Sequence, residues 1–151
     1  MKDNYYQAVV GWQVVEHLSN PEVWINNVKF SMKKNGFLFL STPNATSFQA
    51  KLLSKFWPHL DAPRHQIIYT SKALINTLKN SGFELVYVNW GIDTLLWNRF
   101  SWITFFSNLL HNTSFKFLSK ILGTIFFFLF FLIEIIPGQG SSFIHVYKKI
   151  H

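Results

Sequence analysis

Short apolar runs alternate with amphipathic stretches over the first ninety residues. The run at residues 8–12 (AVVGW) is typical of a strand that is buried on both faces. A helix is predicted next, because Asn20 can cap it and Pro21 suits its first position. Its apolar stripe comprises residues 24, 25, 28 and 32. The run Lys-Lys-Asn-Gly at 33–36 is expected to end this helix, since it supplies cations and then a left-handed residue.

The same rhythm continues along the chain. Residues 37–40 (FLFL) predict a second buried strand. A second helix is expected to start at Ser71 as its cap and to end at Ser81-Gly82, followed by a strand at 85–90. One more strand is predicted at 142–147. Strands alternating with helices in this order indicate an α/β fold with a mostly parallel, doubly wound sheet.

The region from Gly91 onward lacks this alternation of strands and helices. Its longest uncharged run, residues 121–133, would be about 20 Å long as a helix, against roughly 30 Å of hydrocarbon in a bilayer. The run therefore suits an interfacial or re-entrant segment better than a membrane span or a buried core helix. If the strand at 142–147 joins the sheet, both ends of the region lie on one side of the membrane, which excludes a single crossing. Residues 100–110 could then form the other arm of a helical hairpin.

Composition supports a membrane surface as partner. The 151 residues are 49% hydrophobic, carry a net charge of +7 and contain no cysteine, which excludes a disordered chain and cysteine-bound metal sites. The basic residues are scattered, without the aromatic-basic pattern of RNA-binding modules, so nucleic acid is not expected. Of the 17 Phe, 10 lie between residues 100 and 131, and Lys116 and Lys120 are one turn apart. We therefore expect residues 100–136 to bind a membrane surface.

The N-terminus predicts where that surface lies. Residues 1–7 are polar and no apolar segment of a signal peptide follows them. The sequence thus predicts the cytoplasmic face of a membrane, with peripheral or re-entrant attachment.

Several motifs in order resemble a known family. The strand AVVGW, then Val-Val-Glu-His-Leu at 14–18, Asn-Pro-Glu at 20–22 and the strand FLFLSTPN at 37–44 resemble the middle of a class I S-adenosylmethionine-dependent methyltransferase. Pro-Arg-His at 63–65 and Tyr-Thr-Ser at 69–71 resemble its continuation, and residues 142–149 its last, antiparallel strand. The resemblance implies strands four to seven of a partial Rossmann-like sheet, with a hydrophobic helical insertion before the last strand. The implied domains are residues 1–90, 91–137 and 138–151.

The chain also departs from that family. The family's glycine-rich turn and other main cofactor-binding groups precede the fourth strand, and none of the 7 Gly here forms such a turn. Gln7 stands where the family usually has an acidic residue. The resemblance thus implies the C-terminal portion of a methyltransferase, inactive as an isolated fragment, with an exposed strand edge that a further chain could cover. The alternatives are a non-catalytic, membrane-anchored half-domain that completes a partner chain and a small integral membrane protein.

The resemblance also implies a set of site residues. Trp12 and Gln13 would border the methionine part of S-adenosylmethionine, His17 and His65 would be catalytic, and Asn44 and Arg64 would bind the acceptor. That acceptor would be a small molecule, a glycan or a lipid-linked compound, methylated on oxygen with histidine as base. Each assignment has a structural alternative. Glu16-His17 could cap the following loop, Asn44 could form a turn, and Arg64 could pair with Asp61 on the surface.

Some members of the family hold a divalent metal through Glu-x-x-Glu-His and a distant histidine. Here Gln13 replaces the first glutamate, which leaves Glu16, His17 and His65. Two histidines and one carboxylate are a thin ligand set for Mg²⁺, a cation that prefers oxygen ligands. The sequence therefore argues against a divalent metal.

Overall fold

The computed structural model describes residues 3–90, 95–110 and 116–150. The chain divides into two compact units. The first comprises Met1–Pro43, Ala62–Asn89 and Phe143–His151, and the second comprises Asn44–Asp61 and Trp90–Ser142. The predicted boundary at residue 90 coincides with a change of unit, but the segment 44–61 belongs with the helical unit rather than with the sheet.

The first unit is built on a mixed sheet. In the described residues its strands are β1 Tyr6–Trp12, β2 Met32–Pro43, β3 Phe83–Asn89 and β4 Ser142–Lys149. These four strands lie in the order β1-β2-β4-β3. The pair β1 and β2 is parallel, and the pair β3 and β4 is antiparallel. The α/β class and the antiparallel last strand predicted from the sequence are confirmed.

Strand β1 lies at the edge of this sheet, and most of its side chains are exposed. Val10 is 64% exposed and Trp12 is 50% exposed. Only Gly11 is buried, where an added Cβ would lie 3.2 Å from the Trp24 ring. The prediction of a strand buried on both faces is therefore wrong. The apolar run does form a strand, but among the described residues only β2 flanks it, while the expectation of an exposed edge agrees with this position.

Helix α1, Pro21–Ser31, begins as predicted. The side chain of Asn20 accepts a hydrogen bond from the backbone N–H of Val23 at 3.2 Å. Ile25, Val28 and Met32 are fully buried and form the predicted stripe. Burial of that stripe against the sheet contributes most of the stability of a helix this short.

The end of α1 differs from the prediction. The helix stops at Ser31, and residues 33–36 form an outward bulge of β2, because Tyr6 pairs with Met32 while Ala8 pairs with Phe37. Asn35 adopts the left-handed conformation there, with φ of +62°. The Nζ of Lys149 instead caps the helix, donating to the carbonyls of Lys29 and Met32 at 2.7 Å each. A cation from β4 thus takes the capping role predicted for the local lysines.

Helix α3, Ser71–Asn80, is capped one residue earlier than predicted. The Oγ1 of Thr70 accepts from the N–H of Ala73 at 3.1 Å, so Thr70 is the cap. Ser71 is thereby free for another contact, a 3.0 Å hydrogen bond between its Oγ and the Nε2 of His145. The Nδ1 of His145 lies 2.7 Å from the hydroxyl of Tyr147. These bonds link the start of α3 to the core of β4.

His145 makes the stability of the sheet unit depend on pH. The side chain is fully buried, and burial lowers its pKa to about 4. The unfolded chain binds the proton near pH 6.5, so stability present above that pH is lost as the pH falls toward 4, by about 3 kcal/mol in total. Urea unfolding at pH 7.5 and 4.5 should show this loss. His145→Gln, which cannot titrate, should remove it, and an equal pH dependence in both proteins would contradict the assignment.

The second unit is dominated by an antiparallel helical hairpin. Helix α4 spans Leu95–Leu110 and α5 spans Lys116–Glu134. Trp102 stacks on Phe130 and Phe106 packs against Phe126, so later positions in α4 meet earlier ones in α5. This is the hairpin expected from the sequence. The unit also contains α2, Phe48–Leu53, and two 3₁₀ turns at Ser54–Phe56 and Pro58–Leu60.

Polar side chains lie inside this hairpin unit. The Oε1 of Glu134 accepts hydrogen bonds from the Nε2 of Gln49 and the Nε1 of Trp102, each at 2.9 Å. The Oδ1 of Asn98 accepts from the N–H of Ser141 at 3.1 Å and from its hydroxyl. Burial raises the pKa of the Glu134 carboxyl, against the opposing effect of its hydrogen bonds. A buried carboxyl group with a raised pKa therefore joins α2, α4 and α5.

Candidate functional site

Ligands of open α/β sheets lie beyond the carboxyl ends of parallel strands, and here β1 and β2 end side by side. Trp12 pairs with Ser41 at the last position of the ladder. Gln13 follows with a left-handed φ of +51°, and its Nε2 donates to the Oγ of Ser41 at 3.0 Å. Gln13 is thus fixed to the end of β2, while the half-exposed indole of Trp12 stands beside it. Both lie at the carboxyl ends of the parallel pair, and their contact with the cofactor stays a prediction.

Glu16 is the buried anchor of the turn that follows β1. It lies in the 3₁₀ turn Val15–His17, and its side chain is fully buried. Its Oε2 accepts from the Oγ1 of Thr42 at 3.1 Å, whereas its Oε1 has no hydrogen-bond partner among the described residues. Burial raises the pKa of this carboxyl. Hydrogen bonds and the nearby His65 and His17 act in the opposite direction.

The loop that carries His65 is tied to this turn. The backbone N–H groups of Gln66 and Ile67 both donate to the carbonyl of Glu16, at 2.7 and 3.2 Å. This pairing brings the His65 ring beside that of His17, with ring centroids 4.6 Å apart. The Nδ1 of His17 lies 3.0 Å from the carbonyl oxygen of Arg64. Because a carbonyl can only accept, Nδ1 carries a proton, which leaves the lone pair on Nε2 in the neutral ring.

The same three residues have the geometry of a metal site. Glu16, His17 and His65 each offer one ligand atom, and these atoms lie within 4.8 Å of one another. Two imidazoles and a carboxylate suit Zn²⁺ or Fe²⁺, unlike Mg²⁺. The Arg64 carbonyl on His17 and the Thr42 hydroxyl on Glu16 orient two of the ligands, as outer-shell groups do in metal sites. The orphan Oε1 of Glu16 also fits a cation.

Asn44 does not have the role that the resemblance implied. It belongs to the helical unit and is fully buried. Its Nδ2 donates to the carbonyls of Gly138 and Gly140, and its Oδ1 accepts from the N–H and hydroxyl of Thr46. These four bonds use the whole hydrogen-bonding capacity of the amide. These bonds favour the alternative, structural role of Asn44 over binding of the acceptor.

Arg64 remains a predicted acceptor-binding residue. Its side chain is exposed, and its described contribution to the site is the backbone carbonyl that orients His17. The sequence did not single out Ser41, Thr42 or the N–H groups at 66 and 67 as supporting residues. The polar pair Ser-Thr at the end of an apolar strand was the available signal for the first two. The hydrogen bonds from the N–H groups at 66 and 67 to the Glu16 carbonyl can be found only from the tertiary structure.

Comparison with known proteins identifies the family. The sequence model of the family described as methyltransferase domain matches residues 2–88, more than half of the chain. A search among curated proteins finds no significant match.

Solved structures resemble the fold. A candidate sarcosine dimethylglycine methyltransferase from Galdieria sulphuraria superposes with a TM-score of 0.60 at 12% identity, over 99% of this chain and 55% of that one. A candidate histamine N-methyltransferase from Thermotoga maritima superposes with a TM-score of 0.58 at 15% identity, over 99% of this chain and 58% of that one. An S-adenosylmethionine-dependent methyltransferase from Archaeoglobus fulgidus superposes with a TM-score of 0.55 at 18% identity, over 97% of this chain and 61% of that one.

The present chain thus spans between one half and two thirds of the length of these three structures. Their identities to it are low, so they support the fold rather than a substrate. Together with the sequence match, they show that the chain belongs to the methyltransferase-domain family of class I enzymes, which use S-adenosylmethionine.

Proposed function

We propose that this chain supplies the acceptor side of an S-adenosylmethionine-dependent O-methyltransferase, with His17 as the general base. The observation that carries the proposal is the joined cluster of Glu16, His17 and His65 at the carboxyl ends of β1 and β2. A site at this edge is where ligands of the fold lie. S-adenosylmethionine, when bound, supplies an electrophilic methyl group.

The chemistry of the cluster suits deprotonation of a hydroxyl. The Nε2 of neutral His17 can accept the acceptor's proton as the oxygen takes the methyl group, while the Arg64 carbonyl stabilises the proton on Nδ1. Glu16 lies close enough to favour the resulting imidazolium electrostatically. His65 would hold the acceptor beside His17. Trp12 and Gln13 would border the methionine end of the cofactor.

The remaining cofactor contacts would come from polypeptide that precedes this sequence in the complete enzyme. Two observations support this part of the proposal. Strand β1 is exposed at the sheet edge, where a further strand could pair. The chain also matches only part of the length of its structural neighbours. The sequence upstream of Met1 tests it directly, since an in-frame strand followed by a glycine-rich turn is expected there.

A metal-assisted variant is the second candidate, favoured by the closeness of the three ligand atoms. Glu16, His17 and His65 would hold a divalent ion such as Zn²⁺, which could polarise the acceptor hydroxyl. Titration of the chain with Zn²⁺, followed by calorimetry, should then show one site that Glu16→Gln and His65→Ala each weaken by at least about 10-fold, since even the loss of an outer-shell partner weakens metal binding by about 10- to 100-fold. Heat that is unchanged in both variants would exclude the site.

Kinetics in the complete enzyme should separate the roles of the site residues. His17→Ala is expected to lower kcat by about 100-fold or more, the contribution of a general base, with little change in S-adenosylmethionine affinity. Trp12→Ala should mainly weaken cofactor binding. Both kcat and the apparent affinity for S-adenosylmethionine are measured from the release of S-adenosylhomocysteine, with a hydroxyl-containing lipid extract as the source of the acceptor. A His17→Ala enzyme with unchanged kcat would contradict the assignment.

A further inference from the structure

The hairpin of the second unit has its polar and apolar side chains reversed relative to a water-soluble one. Helix α5 buries Ser119, Gly123 and Glu134 together with Phe127. Its outer face instead carries large apolar side chains, with Phe117 at 76%, Phe128 at 69% and Leu132 at 72% exposure. The other exposed members of this outer face are Leu118, Ile121, Ile125, Leu129 and Ile133. Small residues at a helix seam and polar groups inside a bundle are the arrangement of helices in lipid.

The length and hydropathy of α5 agree with contact to lipid. Over 18 residues its mean hydropathy is 2.0, and by length and composition it could cross a membrane. Only 22% of that window is buried, which distinguishes it from the core helix of a soluble protein. An outer face of this extent is much more than the scattered apolar residues of an ordinary surface.

The charged residues around the hairpin indicate which kind of lipid surface it would bind. Within the described part of the second unit, the exposed charged side chains are basic, whereas Asp61 is half-buried and Glu134 is buried. The basic residues are Lys51, Lys55, Arg99, Lys116 and Lys120. Lys116 and Lys120 are one turn apart at the start of α5, where long side chains can reach lipid phosphates from an apolar face. An anionic bilayer provides both the hydrocarbon and the negative charge.

We infer that the outer face of α5 lies flat in the interface of an anionic membrane, with Phe117, Ile121, Ile125, Phe128 and Leu132 in the acyl region. The exposed polar residues Ser107, Asn108, Lys116 and Lys120 lie toward one end of the hairpin, where α4 ends and α5 begins. Insertion with this end first would take these polar groups into hydrocarbon. A flat orientation keeps them at the headgroups while the outer face is buried. This inference goes beyond the proposed methyl transfer and does not depend on it.

Vesicle flotation with the 151-residue chain tests the surface. On vesicles of phosphatidylcholine and phosphatidylglycerol, Phe128→Ser with Leu132→Ser should lower the partition coefficient by at least about 10-fold, since two large apolar side chains leave the lipid. Phe30→Ser is the matched control, because Phe30 is 67% exposed on α1 of the other unit. It should change binding by less than about 2-fold on the same reasoning. Equal binding of the wild-type chain and the double variant would overturn the inference.

The charge requirement is tested in the same assay. Lys116→Gln with Lys120→Gln should weaken binding to anionic vesicles by about 10-fold or more and leave the weaker binding to phosphatidylcholine unchanged. Lys33→Gln with Lys34→Gln removes two exposed lysines of the sheet unit and should have a much smaller effect. If the apolar face binds a second copy of the chain, light scattering will show a dimer without vesicle binding, and the inference is wrong.

Spin labels distinguish a flat helix from a spanning one. The chain has no cysteine, so single variants at 117, 121, 125, 128 and 132 can each be labelled alone. A flat α5 predicts similar depths for all five labels just below the headgroups. A spanning helix predicts depth that changes steadily by about 1.5 Å per residue, and labels that remain in water would show no insertion. Either of these last results contradicts the proposed orientation.

Discussion

Gly123→Ala is expected to destabilise the helical unit by about 2 kcal/mol or more, although alanine is the better helix former. A Cβ at this position would lie 2.6 Å from the Cα and the backbone N of Ile103 in α4. Backbone atoms cannot rotate away, so the two helices must separate. That movement would also loosen the ring contacts of Trp102 with Phe126 and Phe130 on either side.

Urea unfolding followed by circular dichroism measures this loss. Thr124→Ala is the control, because it changes the neighbouring, partly exposed residue of α5 without touching the seam. Ile103→Ala should restore only part of the stability of Gly123→Ala, since it removes the Cγ1 contact and leaves the backbone contacts. A Gly123→Ala protein that is more stable than wild type would show that the helices are not packed as closely as described.

Glu134→Ala is expected to cost about 3 kcal/mol, because it removes the acceptor of two buried donors, the Nε2 of Gln49 and the Nε1 of Trp102. It also leaves a cavity where α2, α4 and α5 meet. Glu134→Gln is the informative comparison. Its amide oxygen can accept from both donors, so at neutral pH it should cost less than about 1 kcal/mol.

The two Glu134 variants also test the protonation state. Because burial raises the folded-state pKa of Glu134, its contribution to stability is present below the unfolded pKa and is lost as the pH rises through the raised value. Unfolding free energies measured from pH 4 to pH 8 should therefore favour Glu134→Gln over wild type increasingly at high pH. A difference that is constant with pH would mean that the pKa of Glu134 is the same in the folded and the unfolded protein, which would contradict the assignment.

Features that depend on neighbouring residues in the chain were predictable from the sequence. The cap at Asn20, the stripe of Ile25, Val28 and Met32, and the stop at Gly82 with φ of +85° follow from local chemistry. The close approach of His17 and His65 followed from the family resemblance rather than from periodicity. The resemblance could not reveal that the Asn44 amide is bonded both to Thr46 in its own turn and to the distant carbonyls of Gly138 and Gly140.

The errors arose where tertiary contacts decide. A β-branched apolar run predicts a strand, but whether other elements cover its faces depends on the rest of the fold. The exposed edge of β1 was therefore predicted, but the exposure of its side chains was not. The end of α1 was misplaced because Lys149, 120 residues beyond Lys29, supplies its cap. The sequence does not identify Glu134 as a buried group, since nothing near it in sequence marks its partners Gln49 and Trp102.

The measurement that tests the account most directly is a calorimetric titration of the folded 151-residue chain with S-adenosylmethionine. In the proposed function this chain supplies the acceptor side of the site, with Trp12 and Gln13 at the cofactor, and its sequence contains no G-x-G-x-x-G motif. The proposed function therefore predicts no binding tighter than about millimolar, equivalent to roughly 4 kcal/mol, while cooperative urea unfolding confirms that the chain is folded. Micromolar affinity of this chain for S-adenosylmethionine would contradict it.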